Sequence, residues 1–126
     1  TGACLIYLYR AGWLRSILTE PSNRAFLARQ GYEADQDCQG LLRQLSRRLC
    51  LEREFPHEIG VFLGYPLEDV VGFIENHGRN YTCCGCWKAY GDPEAARKRF
   101  DQYRRCTAAC CEQFRQGAAI TQLIAA

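Results

Sequence analysis

Apolar side chains recur along this chain in two rhythms. Cys38, Leu41, Leu42, Leu45 and Leu49 fall at i, i+3, i+4, i+7 and i+11, the spacing of one face of an amphipathic helix. Arg43, Arg47 and Arg48 lie largely on its other faces, and Asp35 stands near its expected cap. Ala96, Phe100, Tyr103, Thr107, Cys110 and Phe114 trace a second stripe. Asp92-Pro93-Glu94 precedes it with a capping carboxylate, a proline at the first helical position and an acid that suits the helix dipole. Gly117 follows it, so a long helix over residues 93–116 is predicted.

Shorter helices are predicted from their punctuation. "WLRSIL" stops at Thr19-Glu20-Pro21; Ser22 is the expected N-cap of "NRAFLARQ", which Gly31 ends. Pro56 opens a helix that ends at Gly64, and Pro66 opens another that ends near Asn76-His77-Gly78. The strand rhythm belongs to Cys4–Tyr9 (CLIYLY) and to Tyr81–Tyr90, both aromatic and apolar. Residues 119–125 read as a last strand or a frayed helix. The expected architecture is α+β (α/β in the wide sense): a small sheet packed by several helices, the longest at the C-terminus. We expect one domain over residues 1–126, lacking upstream strands, since no methionine opens the chain and Thr1-Gly2 leads straight into an apolar run.

Composition narrows the partners. Sixteen basic and 14 acidic side chains leave a formal charge of +2, which gives no general argument for nucleic acid or an anionic membrane. No apolar run approaches the roughly 18 residues that span a bilayer. Nine cysteines is an odd count that leaves a thiol unpaired in a monomer, and the adjacent pairs Cys83-Cys84 and Cys110-Cys111 suit a disulfide framework poorly. A reducing cytoplasm is the expected compartment.

"YTCCGCW" concentrates the candidate chemistry. Cys83 and Cys86 have the spacing that lets two sulfurs meet one ion, but no second such pair completes a zinc or iron site. With Tyr81–Tyr90 as one strand turning at Gly91-Asp92 into the long helix, Cys84 and Cys106 come level, at roughly 23 and 21 Å from the turn. That makes Cys83, Cys84 and Cys106 the candidate metal or redox thiols, with Lys88 and Arg105 as nearby cations. The competing expectation is that the thiols mostly fill the core as small hydrophobes, and it is the one preferred here. A deaminase-type zinc pattern fails, because Glu58 directly follows His57 and Thr82 precedes Cys83.

"HEIGVFLGYPLEDVVGFIENHG" scans as a helix-turn-helix, with Gly60 and Gly64 at the close positions and Ile59, Leu63, Val70 and Phe73 between the helices. Its second helix offers Glu68, Asp69 and Glu75 where a DNA reader presents Arg, Lys, Asn or Gln to base edges and phosphates. No nucleophile with a base, phosphate loop or diagnostic acid pair emerges, so no catalytic site is assigned. The stretches Pro56-His57-Glu58-Ile59-Gly60, Gly64-Tyr65-Pro66-Leu67-Glu68-Asp69-Val70 and Cys83-Cys84-Gly85 with Trp87 resemble a family of uncharacterised proteins of anaerobic Gram-positive bacteria, a domain of unknown function. The resemblance covers nearly the whole chain and places Cys83, Cys84 and Cys106 at family positions, while Cys86 stands where an aromatic is expected. It implies a bacterial cytoplasmic protein and supplies no reaction. The expected role is a binding or adaptor module contacting a protein or small-molecule ligand through His57, Glu58, Tyr65, Glu68, Asp69, Trp87 and Lys88; the alternatives are a thiol-based zinc, iron or redox protein and a helix-turn-helix regulator.

Overall fold

A computed structural model describes residues 2–33 and 35–123. Among the described residues the elements run α1 (Ala11–Thr19), α2 (Pro21–Arg29), α3 (Cys38–Leu51), α4 (Ile59–Phe62), α5 (Leu67–Glu75), β1 (Cys83–Cys84), β2 (Lys88–Ala89), α6 (Pro93–Arg115) and α7 (Ile120–Leu123). The fold is α+β, weighted to helix. Its sheet is one antiparallel pair, with Cys83 opposite Ala89 and Cys84 opposite Lys88.

Local chemistry sets the helix ends. Asp92 accepts from the Glu94 and Ala95 amides at 3.1 and 3.4 Å, and Pro93 follows at the first helical position. At α3 the cap is Asp37, which takes the Gly40 amide at 2.8 Å; Asp35 lies too far upstream to reach that amide. At α2 it is Glu20, which takes the Asn23 amide at 3.0 Å. Pro21 therefore starts the helix one residue before Ser22, whose hydroxyl donates to Glu20 instead.

The main core joins Leu14 and Leu18 of α1, Phe26 and Leu27 of α2, Leu41 and Leu45 of α3, Val61 and Phe62 of α4 and Val70 of α5, with Tyr32 between them. The α3 stripe thus faces inward as its spacing requires. A smaller cluster of Ala89, Ala96 and Phe100 fastens the hairpin to the first turns of α6, with Cys83 and Trp87 packed against it. Gly60 lets α4 and α5 touch: a Cβ there would come within 2.8 Å of Val70 Cγ2.

Three expectations are corrected. Cys4–Tyr9 forms no ladder, because no neighbouring strand lies beside it among the described residues. Tyr81–Tyr90 is a hairpin and not one strand: the Thr82 amide donates to the Ala89 carbonyl at 2.9 Å and the Gly85 amide to the Trp87 carbonyl at 3.0 Å. The bend between the two strands begins at Gly85, where the Phe100 ring occupies the space a Cβ would need. The thiols mostly do not fill the core: six of the nine are exposed, and Cys38, Cys83 and Cys110 are half-buried, the first two packing at the edges of the two clusters. Of the two alternatives for residues 119–125, helix is the one observed, as α7 at Ile120–Leu123, and residues 124–126 lie outside the described residues.

The physical reason for the exposed thiols is the reach of α6. At 1.5 Å per residue this helix is roughly 35 Å long, yet only Ala96 and Phe100 of its stripe are buried. Every residue from Asp101 to Ala109 is exposed. Tyr103 still touches the body, its hydroxyl donating to the Leu63 carbonyl at 3.3 Å. Beyond it nothing described covers the helix flank that carries Cys106 and Cys111.

Candidate functional site

The hairpin, α3 and the N-terminal run enclose an apolar groove of about 1100 Å³. Ala3–Tyr7 forms one wall, Leu42, Leu45 and Leu49 with Phe62 form the floor, and Cys84–Lys88 forms the opposite wall. Phe55, His57 and Phe73 close one end. The His57 ring lies between those two phenyl rings, at 5.5 and 4.8 Å between centroids. His57 itself is exposed.

Asp69 shapes the hairpin wall. Only 3% of it is exposed, and its carboxylate accepts from Trp87 Nε1 at 2.8 Å and from the Tyr90 amide at 2.9 Å. A buried carboxylate is tolerable when such donors satisfy it. The bonds tie the first turn of α5 to β2, and they turn the Trp87 indole flat onto Tyr65, 4.3 Å away and 19° from parallel. Trp87 also meets Phe100 and Tyr103 edge-on, at 4.7 and 5.0 Å. Burial raises the pKa of the Tyr65 hydroxyl, and Cys86 adds to the effect. The buried Tyr90 hydroxyl has no hydrogen-bond partner among the described residues.

Lys88 crosses the top of the hairpin. Its Nζ donates to the Gly78 carbonyl at 2.8 Å and stands 5.2 Å from the centre of the Tyr81 ring and 5.9 Å from that of Phe73. That carbonyl takes one of the three ammonium donors, and the two rings lie within cation–π range.

His57, Tyr65, Asp69, Trp87, Lys88 and Cys84 are thus brought together around one groove. Glu58 and Glu68 are not among its walls. Glu58 is 4% exposed and bonded to Arg48 at 2.8 Å and to the Tyr32 hydroxyl at 3.0 Å. It fastens α3 to the segment before α4. Glu68 is exposed, and its carboxylate packs over Gly91. Cys83 turns toward Phe100, and Cys106 stands on the solvent side of α6.

Among the described residues, no group of three or more His, Cys, Asp and Glu side chains is placed to hold a metal ion. The level placement expected for Cys84 and Cys106 was drawn from one extended strand, and a hairpin stands in that strand's place. The helix pair α4–α5 forms as its sequence requires, but α4 is four residues long and α5 opens on Glu68 and Asp69. Sequence reasoning missed the apolar floor. Leu42 and Leu49 were legible as members of the α3 stripe, but nothing in the sequence announced that one edge of that stripe borders an open groove. Phe55, exposed at the rim, carried no signal.

A small α+β protein organised around an apolar groove is the class that this geometry defines. The chain belongs to the DUF3793 family, proteins of unknown function, whose family model matches residues 1–124. Comparison with curated proteins and with solved structures gave no match. No helix of the described residues is long and apolar enough to cross a membrane.

Proposed function

We propose that this chain is a non-catalytic binding module whose groove takes an apolar small molecule between the N-terminal run and the hairpin. The observation that carries the reading is the groove's size combined with its lining. Its volume of about 1100 Å³ stands just above the ~300–1,000 Å³ usual for ligand sites. Leu42, Leu45, Leu49, Phe55, Phe62 and Phe73 supply most of its wall chemistry. Asp69 is engaged by Trp87 and Tyr90, so it organises the wall and does not stand free as an acid or base. Polar selectivity falls to His57 and Lys88, which both border Phe73.

Trp87 reports on the groove. In a Trp13→Phe background, titration with anilinonaphthalene sulfonate, an apolar probe with one anionic group, should change Trp87 emission saturably near one equivalent. Phe55→Ser should weaken that binding about fivefold or more, through lost apolar contact at an exposed position. A folded protein with no saturable change, or an affinity unchanged from the parent in both Phe55→Ser and Leu49→Gln, would remove the groove as a ligand site.

A further inference from the structure

Among the described residues, one acidic side chain lines the groove, Asp69, and two basic ones, His57 and Lys88. Asp69 and Lys88 do not pair. Both carboxylate oxygens of Asp69 are taken, one by Trp87 Nε1 and the other by the Tyr90 amide. Lys88 Nζ donates to the Gly78 carbonyl at 2.8 Å and has no carboxylate within ion-pair distance among the described residues. An ammonium has three donors, so two stay available. The charge is also half-buried, where a cation without a counter-charge is costly.

That cation stands at one end of an apolar trough. Its Nζ lies 5.9 Å from the centre of the Phe73 ring, and the His57 ring packs on the same phenyl at 4.8 Å. The basic chemistry of the groove is therefore gathered beside Phe73. Away from it, Leu42, Leu45 and Leu49 follow one face of α3, the first and last roughly 10 Å apart along the helix, and Phe62 completes the floor. No charged side chain lies along that floor among the described residues.

We propose that the groove takes a free, single-chain aliphatic carboxylate, its head held by the Lys88 ammonium and its chain laid along the α3 leucines. The inference rests on the groove being a ligand site and names the class of ligand. A molecule apolar along its length and anionic at one end matches such a lining. One ammonium matches one negative charge. No arginine and no second lysine lines the groove among the described residues, so a dianionic phosphate head would stay half neutralised. Lipid surfaces are met by clusters of lysine and arginine, and a single half-buried lysine between Tyr81 and Phe73 is not one.

Titration of the Trp13→Phe protein with dodecanoate, dodecanol and dodecylammonium, each below its micelle concentration and read by Trp87 emission, tests it. Dodecanoate should saturate near one equivalent and bind about tenfold or more tighter than dodecanol, with dodecylammonium weakest. Octanoate should bind about tenfold or more weaker than dodecanoate, through its lost methylenes. Lys88→Met should bring dodecanoate down to the affinity of dodecanol and leave dodecanol unchanged, while Lys88→Arg keeps the preference for the anion. Dodecanol or dodecylammonium binding as tightly as dodecanoate overturns the carboxylate assignment and leaves the groove standing as a ligand site. Saturable binding of none of the three removes both. The head-group comparison is made on the parent lysine, so it decides even where Lys88→Met fails to fold. A preference for dodecanoate that survives in folded Lys88→Met also overturns the proposal. So does co-sedimentation with vesicles of anionic phospholipid under conditions where monomeric dodecanoate does not bind, which would place the cation on a lipid surface.

Discussion

The indole N–H of Trp87 donates to one carboxylate oxygen of Asp69 at 2.8 Å, while the other oxygen accepts the Tyr90 amide at 2.9 Å. One buried side chain thus holds both a backbone position of the hairpin and the ring that faces the groove. Asp69→Ala strands two donors, each costing about 1–3 kcal/mol when buried without a partner. A loss near ~3 kcal/mol or more is expected in urea denaturation, with Trp87 emission shifted to the red. Asp69→Asn offers only one carbonyl oxygen to the two donors and should lie between that variant and the parent.

Phe100 and Gly85 form the second contact on which the hairpin depends. The ring packs where a Gly85 side chain would stand. Phe100→Ala should cost about 3–5 kcal/mol as a buried aromatic truncation. Gly85→Ala should destabilise by steric conflict with the ring. The double variant should be markedly more stable than the sum of the two losses predicts, because the smaller residue at 100 leaves room for the new methyl. Strict additivity in thermal or chemical melts would contradict the contact.

Glu58 has Arg48 at 2.8 Å and the Tyr32 hydroxyl at 3.0 Å, and the Arg48 guanidinium lies 4.5 Å from the centre of the Tyr32 ring. Removing the cation alone leaves a buried carboxylate uncompensated, so Arg48→Met should cost about 3–5 kcal/mol. Adding Glu58→Gln should recover part of that loss, since a neutral amide needs no counter-charge. Chemical denaturation of the two single variants and the pair measures the coupling.

Tyrosine ionisation sets the alkaline limit. Burial first, and then the neighbouring Tyr9, pushes the Tyr7 hydroxyl from 10.0 up to about 12, and that hydroxyl donates to the Phe62 carbonyl. Tyr32 is raised as well, by burial and then by Glu58. A raised folded value means that the fold favours the neutral form. The corresponding stability is complete below pH 10 and is lost as pH climbs through about 12 for Tyr7. Tyr7→Phe should cost about 1 kcal/mol at neutral pH for one hydrogen bond and make the alkaline decline shallower. Thermal melts at stepped pH, read beside phenolate absorbance, check both.

Much of the helical framework was legible because its signals are local. The α3 leucine stripe, the Asp92-Pro93 start of α6, and Gly78 at the end of α5 all rest on contacts within a few residues of chain. Caps slipped by one or two positions, as at Asp37 and Glu20, because several carboxylates and hydroxyls compete for the same amides. The hairpin was hidden for a different reason. Gly85 reads as a weak point inside a strand until the Phe100 ring, fifteen residues on, is known to occupy its vacant side. The same holds for Cys4–Tyr9, whose strand rhythm is real but whose ladder needs a neighbour. The groove was least legible of all, since its walls come from five separate stretches of chain. Only His57, Tyr65, Asp69, Trp87, Lys88 and Cys84 had been singled out, and none of them belongs to its floor.

The bare outer half of α6 has a thermodynamic corollary. Past Tyr103 its turns meet only the short α7 among the described elements and carry pairs such as Arg104–Asp101 at 3.2 Å and Arg115–Glu112 at 3.5 Å, worth about 0.2–0.5 kcal/mol each. Those turns can unwind and rewind while the body stays intact, as a spar of low local stability. Cys106, Cys110 and Cys111 ride on that spar. Cys106 and Cys111 are already open to reagents on the intact helix, and unwinding of this one segment would bare Cys110 as well without unfolding the body of the protein.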